Sequence, residues 1–166
     1  MTKVVLIAGG NKGDKELLAA RYRVLLEERV GKISRLSKIH HTPAWGFESE
    51  EEFWNQVVEI ESFLSPVELL QKIHLIEAEL GRQRDEEAKE KCLKQQRYAS
   101  RTMDIDILFY GDEIILSEEL QIPHPRIQER EFVLAPLCEI LPDLRHPLLG
   151  KTVSELMNDL TSDESI

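Results

Sequence analysis

The sequence predicts an α+β fold, a sandwich in which helices flank a mostly antiparallel sheet. Two observations lead there. Segments with strand and helix character follow the order strand, helix, two strands, helix, then a hairpin and C-terminal helices, without the regular alternation of a doubly wound parallel sheet. No internal repeat or linker divides the 166 residues, a length that suits one domain burying about two thirds of its unfolded surface. Residues 1–166 are therefore expected to form a single domain.

Lys3 to Ala8 is an apolar, β-branched run ending at Gly9-Gly10, a buried strand entering a tight turn. A helix follows, capped by Asp14, with Leu18, Tyr22, Leu25 and Leu26 on one face and Gly31 as its stop. Ile33 to His40 is a weaker strand leading into a loop marked by Pro43 and Gly46. Phe53 to Phe63 forms the next strand, with Val58 and Ile60 on one face and Phe53, Val57 and Phe63 on the other. Ser65-Pro66-Val67-Glu68 offers a capping serine, a proline at the first helical position and a glutamate at the third. The helix it starts carries a stripe of Leu69, Ile73, Ile76 and Leu80 and is expected to end at Gly81. The charge-dense stretch 82–100 lacks an apolar face and reads as a long mobile loop. Met103 to Tyr110 is a strand, Gly111-Asp112 a turn and Glu113 to Leu116 a return strand, a hairpin. Helices over Glu129–Leu141 and Val153–Leu160 complete the chain.

Hydrophobic residues at 42% and charged residues at 31% match ordinary soluble proteins. No stretch approaches the roughly 20 apolar residues that span a bilayer. The N-terminal MTKVVLIAGGN has no longer apolar region or cleavage pattern of a signal peptide, so a cytoplasmic protein is expected. Cys92 and Cys138 have neither metal nor redox spacing. A net charge of −10 argues against nucleic acid as a partner. An anionic ligand must then be met locally, by single arginines or through a metal.

Asp104 and Asp106 alternate with Ile105 and Ile107. On a strand, residues two apart share a face at about 6.5 to 7 Å, so the carboxylates converge while the isoleucines enter the core. Hard oxygen donors in this number suit magnesium, which leaves the rest of its shell to water and phosphate. An isolated Asp-x-Asp is more often a solvated strand face. Here Arg101 lies just upstream, with Arg82, Arg84 and Arg97 in the preceding segment, so that cationic groups can gather on the same anion. Gly9 to Asp14 lacks the spacing of either a Walker loop or a dinucleotide-binding turn. His124, between Pro123 and Pro125, sits on restrained backbone, where it can donate to phosphate or cap a turn. Phe53, Trp54 and Phe132 can each be core residues. Asn55 shares a strand face with Phe53, pairing a stacking surface with an amide that both donates and accepts, which suits a flat heterocycle.

The chain resembles the 6-hydroxymethyl-7,8-dihydropterin pyrophosphokinases of folate synthesis along nearly its whole length. The resemblance is carried in order by GGNKGD, TPAWG (Thr42 to Gly46), FWN (Phe53 to Asn55), IEAELGRQR (Ile76 to Arg84), RTMDIDILFYG and IPHPRIQEREF. It implies a ferredoxin-like fold and the magnesium-dependent transfer of pyrophosphate from ATP to a reduced pterin alcohol, with release of AMP. By that analogy Asp104 and Asp106 hold two magnesium ions, and Arg82, Arg101 and Asp106 serve catalysis. Glu77, Arg84, Ile107, His124 and Arg130 then face the nucleotide. Thr42, Pro43, Gly46, Phe53, Asn55 and Phe132 face the pterin. The partners expected are these small molecules, with no membrane and no nucleic acid, and a monomer is the default. Three departures stand out: Gly10 replaces a usual serine, His74 and Glu119 differ at nucleotide positions, and Arg97-Tyr98-Ala99-Ser100-Arg101 replaces Arg-Trp-Gly-Pro-Arg after a longer loop.

Two other classes bear on the same residues. Nucleotidyltransferases also pair a glycine turn with Asp-x-Asp, but place the turn shortly before the carboxylates. A noncatalytic ferredoxin-like regulatory module has no use for the arginines, His124 and the aspartates together.

Overall fold

The structure, a computed structural model, describes residues 1–10, 14–42, 53–92 and 103–164; of these, the side chains of 42, 82–92, 163 and 164 lie outside the description. Strand β1 (Thr2–Gly10) lies in the middle of the sheet, antiparallel to β4 (Phe53–Ser62) and to β5 (Asp104–Tyr110). β2 (Gly31–Leu36) and β3 (His40–Thr42) pair in turn along the other edge of β4. With β2 and β3 taken as one interrupted edge, the order β2-β4-β1-β5 and the helices between them give the ferredoxin-like arrangement.

Both faces of the sheet are covered. Helices α1 (Lys15–Arg29) and α2 (Pro66–Cys92) bury Leu18, Tyr22, Leu26, Leu69, Ile73, Ile76 and Leu80 against Val4, Leu6, Ala8, Val58, Ile60, Ile105 and Ile107. Helices α3 (Glu131–Ile140) and α4 (Val153–Glu164) bury Val133, Leu134, Leu137, Val153 and Leu156 against Val5, Ile7, Val57, Leu108 and Phe109. This double cover explains why β1 reads as a continuous apolar run rather than an alternating one. Among the described residues no helix is long and apolar enough to cross a membrane.

Local signals hold where their bonds are local. The Asp14 carboxylate accepts from the backbone N–H of Glu16 and of Leu17, both at 3.1 Å. Ser65 and Glu68 form the reciprocal capping box, at 3.1 and 3.2 Å.

Four expectations are corrected. The helix beginning at Pro66 does not end at Gly81 but continues to Cys92, so residues 82–92 are helical rather than loop. Arg82 to Lys91 is rich in strong helix formers, with Asp85/Lys89 and Glu87/Lys91 at stabilising four-residue spacing, and an established helix propagates through one glycine. Residues 93–100 of the expected loop lie outside the described residues. Ile33–His40 is not one strand: its register on β4 slips by a residue after Ile33 and again before His40, which separates β2 from β3. The segment after Gly111 turns away from β5. Gly111 adopts φ +54 and Glu113 N–H closes on the Tyr110 carbonyl, after which β6 (Ile115–Leu116) pairs with β7 (Gln121–Ile122) instead. Phe63 lies past the end of β4 and is exposed. The C-terminal helices fall where expected, with a 3-10 turn at Ile127–Glu129 before α3.

His146 is buried in the turn before α4, where its Nδ1 accepts from the N–H groups of Leu148 and Leu149 and its ring meets Phe109 edge-on. Burial holds the imidazole below its ordinary 6.5. The unfolded chain therefore takes up the proton first, and stability is expected to fall as pH drops through 6.5. Urea midpoints at about pH 7.5 and about pH 5.5 check this. His146→Gln, whose amide oxygen can accept the same N–H groups, should flatten the slope, and an unchanged slope would place the acid sensitivity elsewhere.

Candidate active site

The strand registers build the site. Across four strands, Asp104 on β5 stands opposite Gly9 on β1, Gly9 opposite Asn55 on β4, and Asn55 opposite His40 on β3. Residues in one such row share a face of the sheet. Asp106 stands in the next row, opposite Ile7, which is itself opposite Val57. Ile7 and Val57 belong to the core under α3 and α4, whereas Ile105 and Ile107 belong to the core under α1 and α2. The two carboxylates thus emerge together on the α3/α4 side, as their spacing requires.

Gly9 keeps the row open. A Cβ there would fall 2.6 Å from Asn55 Oδ1 and would also strike the backbone carbonyl of Trp54. The Asn55 amide therefore lies over β1 in space that a side chain would fill. Phe53, two residues before Asn55, shares its face, while Trp54 turns inward against Tyr22, with ring centroids 6.2 Å apart.

β5 is an edge strand, and its outward polar groups are met by other elements. Glu77, reaching round from α2, accepts from Ile105 N–H at 2.8 Å, and His124 N–H donates to the Leu108 carbonyl at 3.1 Å. Beside this edge lies a cavity of about 470 Å³ walled by α2 (Leu70, His74, Glu77), by β5 (Asp104 to Ile107), by Glu118 to Gln121 and by His124 and Pro125. Its size suits a small-molecule ligand. Asp104 thus borders the cavity on one side and is aligned with Asn55 across Gly9 on the other.

Carboxyl groups crowd this edge. Burial pushes the Glu77 carboxyl up to about 7; the Ile105 N–H opposes this, and the charges of Asp104 and Asp106, with a hydrogen bond to Asp104, add to it. Among the described residues no group of three or more His, Cys, Asp or Glu side chains is arranged to hold a metal ion. Two carboxylates with an all-oxygen donor set fit a hard divalent ion that draws its remaining ligands from water and substrate, as magnesium does. Burial also holds His124 below its ordinary value, with Arg130 and Arg126 acting in the same direction and Asp106 and Asp104 against it. Arg126 N–H points at His124 Nδ1 at 3.3 Å, which leaves the proton of the neutral ring on Nε2 as a donor. Arg130 stands over the Phe132 ring, 5.6 Å from its centroid, at the start of α3.

Of the residues anticipated from the sequence, Asp104, Asp106, Glu77, Ile107 and His124 line the cavity. Asn55 and Phe53 lie on the same face as the carboxylates, and Arg130 and Phe132 stand at the near end of α3. Thr42 ends β3 opposite Phe53. Arg82 and Arg84 fall on the extension of α2, with side chains outside the described residues, as are Pro43, Gly46 and Arg101 altogether. Sequence reasoning missed Leu70, Glu118, Leu120, Gln121 and Pro125 as cavity wall and treated His74 and Glu119 only as departures. The turn residues reach the site through the β6–β7 pairing, for which the sequence holds no local signal.

Comparison with known proteins bears on the same chain. The family described as 7,8-dihydro-6-hydroxymethylpterin-pyrophosphokinase (HPPK) matches residues 5–142. A 2-amino-4-hydroxy-6-hydroxymethyldihydropteridine pyrophosphokinase of Aquifex aeolicus is 35% identical over 161 residues, 97% of this chain and 94% of that protein. The enzyme of the same name from Bacillus subtilis is 40% identical over 142 residues, covering 84% and 79%. Among solved structures, a Plasmodium falciparum HPPK-DHPS superposes with a TM-score of 0.73 over 97% of this chain at 18% identity. The chain spans 44% of that longer protein, and the likeness concerns the fold alone.

Gly9→Ala is expected to lower stability by about 1–3 kcal/mol, because backbone on β4 must move to admit the methyl group. It should also displace the Asn55 amide. Urea unfolding together with a heteronuclear spectrum of the Asn55 side chain checks both. An unshifted amide signal at full stability would contradict the close approach.

Proposed function

The chain belongs to the 7,8-dihydro-6-hydroxymethylpterin-pyrophosphokinase family, and from that premise we propose that Asp104 and Asp106 form the junction between a nucleotide in the cavity and a pterin on the Asn55 face. The protein is a pyrophosphokinase of folate biosynthesis with ATP as co-substrate. Its reaction joins the hydroxymethyl oxygen of the pterin to the β-phosphorus of ATP, breaks the bond between the α- and β-phosphoryl groups and releases AMP. The supporting observation is the position of Asp104, which borders the cavity and is aligned with Asn55 across a glycine.

ATP lies in the cavity beside β5, with its base toward Leu70, His74 and Ile107 and its phosphates toward the aspartates and His124, on which Arg130 also acts. Asp104 and Asp106 would hold the magnesium, taken here as two ions, which when bound neutralises phosphate charge and acidifies the attacking hydroxyl. His124 donates through Nε2 to a phosphate oxygen without adding a full charge. Arg130, together with Arg82, Arg84 and Arg101, supplies guanidinium donors for the charge that spreads over the transferred group. Phe53 and Phe132 give the pterin apolar faces and Asn55 reads its donor and acceptor edge. Thr42, at the end of β3, contributes together with Pro43 and Gly46, which follow it in the chain. Asp106 accepts the hydroxyl proton. Every one of these groups comes from a single chain, and we take the protein to act as a one-domain monomer in the cytoplasm.

Asp104→Asn and Asp106→Asn are each expected to reduce kcat/KM by roughly a hundredfold or more, with melting temperature and circular dichroism close to those of the parent. Assays of AMP release across a magnesium titration check this. Wild-type rates in either variant would remove the metal assignment.

A further inference from the structure

Helix α3 carries Phe132 at one end, and its other end is tied to the opposite side of the sheet by contacts that serve no purpose in phosphate chemistry. Glu139 Oε1 meets His40 Nε2 at 2.8 Å, and Glu139 Oε2 accepts from Lys38 N–H at 2.8 Å. Arg35 donates to the Ile140 carbonyl at 2.9 Å, closing the last turn of the helix. At the other end Arg130, the residue before α3, acts electrostatically on His124, which is seated on the β5 backbone. The helix therefore crosses the sheet from β5 to β3. The dimensions agree: ten residues of helix span about 15 Å, and three strand-to-strand steps from β5 through β1 and β4 to β3 span about 14 Å.

The fixed end is tied to the pterin side of the site twice over. His40 stands directly opposite Asn55, so its ring shares the face on which the amide lies. His40 also begins the three-residue strand that ends at Thr42. Phe132 and Glu139 are seven residues apart, two turns, and project from nearly the same side of α3. One carboxylate thus sets the position of β3, the neighbour of Asn55 and the helix bearing Phe132. The nucleotide cavity is walled by α2, β5 and the β6–β7 turn, none of which touches Glu139 in these contacts.

We infer that Glu139 and His40 are positioning residues for the pterin, acting through α3 and β3 on Phe132, Asn55 and Thr42, an inference that rests on the assignment of those residues to the pterin. The contacts are half-buried, so their loss loosens the cross-sheet tie without opening the core. In the full chain, Glu139→Ala and, separately, His40→Ala are expected to raise KM for the pterin alcohol about tenfold, the effect of losing one charge-assisted bond. KM for ATP should stay within about twofold of the parent, since the cavity walls are held independently. Melting temperature is followed in parallel, and the two variants reach the same contact from opposite partners, so that a folding defect in one leaves the other to decide. An unchanged pterin KM in a folded variant, or equal rises in both KM values, would overturn the inference. A parent chain that transfers no pyrophosphoryl group would instead overturn the functional reading, and the positioning role with it.

Discussion

The site depends on a close approach between strands at Gly9. With no side chain there, the Asn55 amide can lie over β1, and the row from Asp104 to His40 stays open across four strands. Because side chains alternate strictly along a strand, that single row decides which residues face the ligands and which enter the core. A slip of one residue between β1 and β5 would turn Asp104 and Asp106 into the apolar layer under α1 and α2, and one between β1 and β4 would do the same to Asn55. Such a slip is costly because it would bury two carboxylates among Ile73, Ile76 and Leu80, and that cost protects the geometry.

In a protein of net charge −10, the proposed site must meet the phosphates of ATP with a few local cations and a metal rather than with overall charge. Glu77 illustrates the tension: its carboxyl caps the free N–H of an edge strand while burial and two aspartates push its proton affinity up. The proposed divalent ion beside Asp104 and Asp106 would relieve that tension, and burial, which disfavours the charged form of His124, would leave it a donor that does not compete for the carboxylates. The arrangement suits a reaction in which positioning and charge neutralisation do most of the catalysis.

Much of this was legible in the sequence where the physics is local. The capping box at Ser65 and Glu68 closes within four residues, and the Asp104/Asp106 pair follows from the period of a strand. Strand alternation also places Asn55 with Phe53, and the flanking prolines single out His124; the resemblance to a pterin enzyme family adds their roles. What stayed hidden depends on distant partners. Gly9 looked like the start of a turn because its constraint comes from Asn55, 46 positions later. The return strand was assigned to β5 because a turn followed by a short apolar run has no mark of its true partner, β7. The helix through 82–92 carries no apolar stripe to mark it, although propensity and charge spacing favour continuation. The tie between His40 and Glu139, 99 positions apart, is invisible to any local pattern.

The proposed junction requires a divalent ion at Asp104 and Asp106 next to the hydroxymethyl end of a pterin held by Asn55. Manganese, which suits the same oxygen donors, makes that adjacency measurable. With manganese and a non-transferable ATP analogue bound, the account predicts that the hydroxymethyl protons of the bound pterin relax far faster than the protons on its pyrazine ring, and that Asp104→Asn abolishes the difference. Equal relaxation across the pterin, or an effect untouched by that substitution, would contradict it.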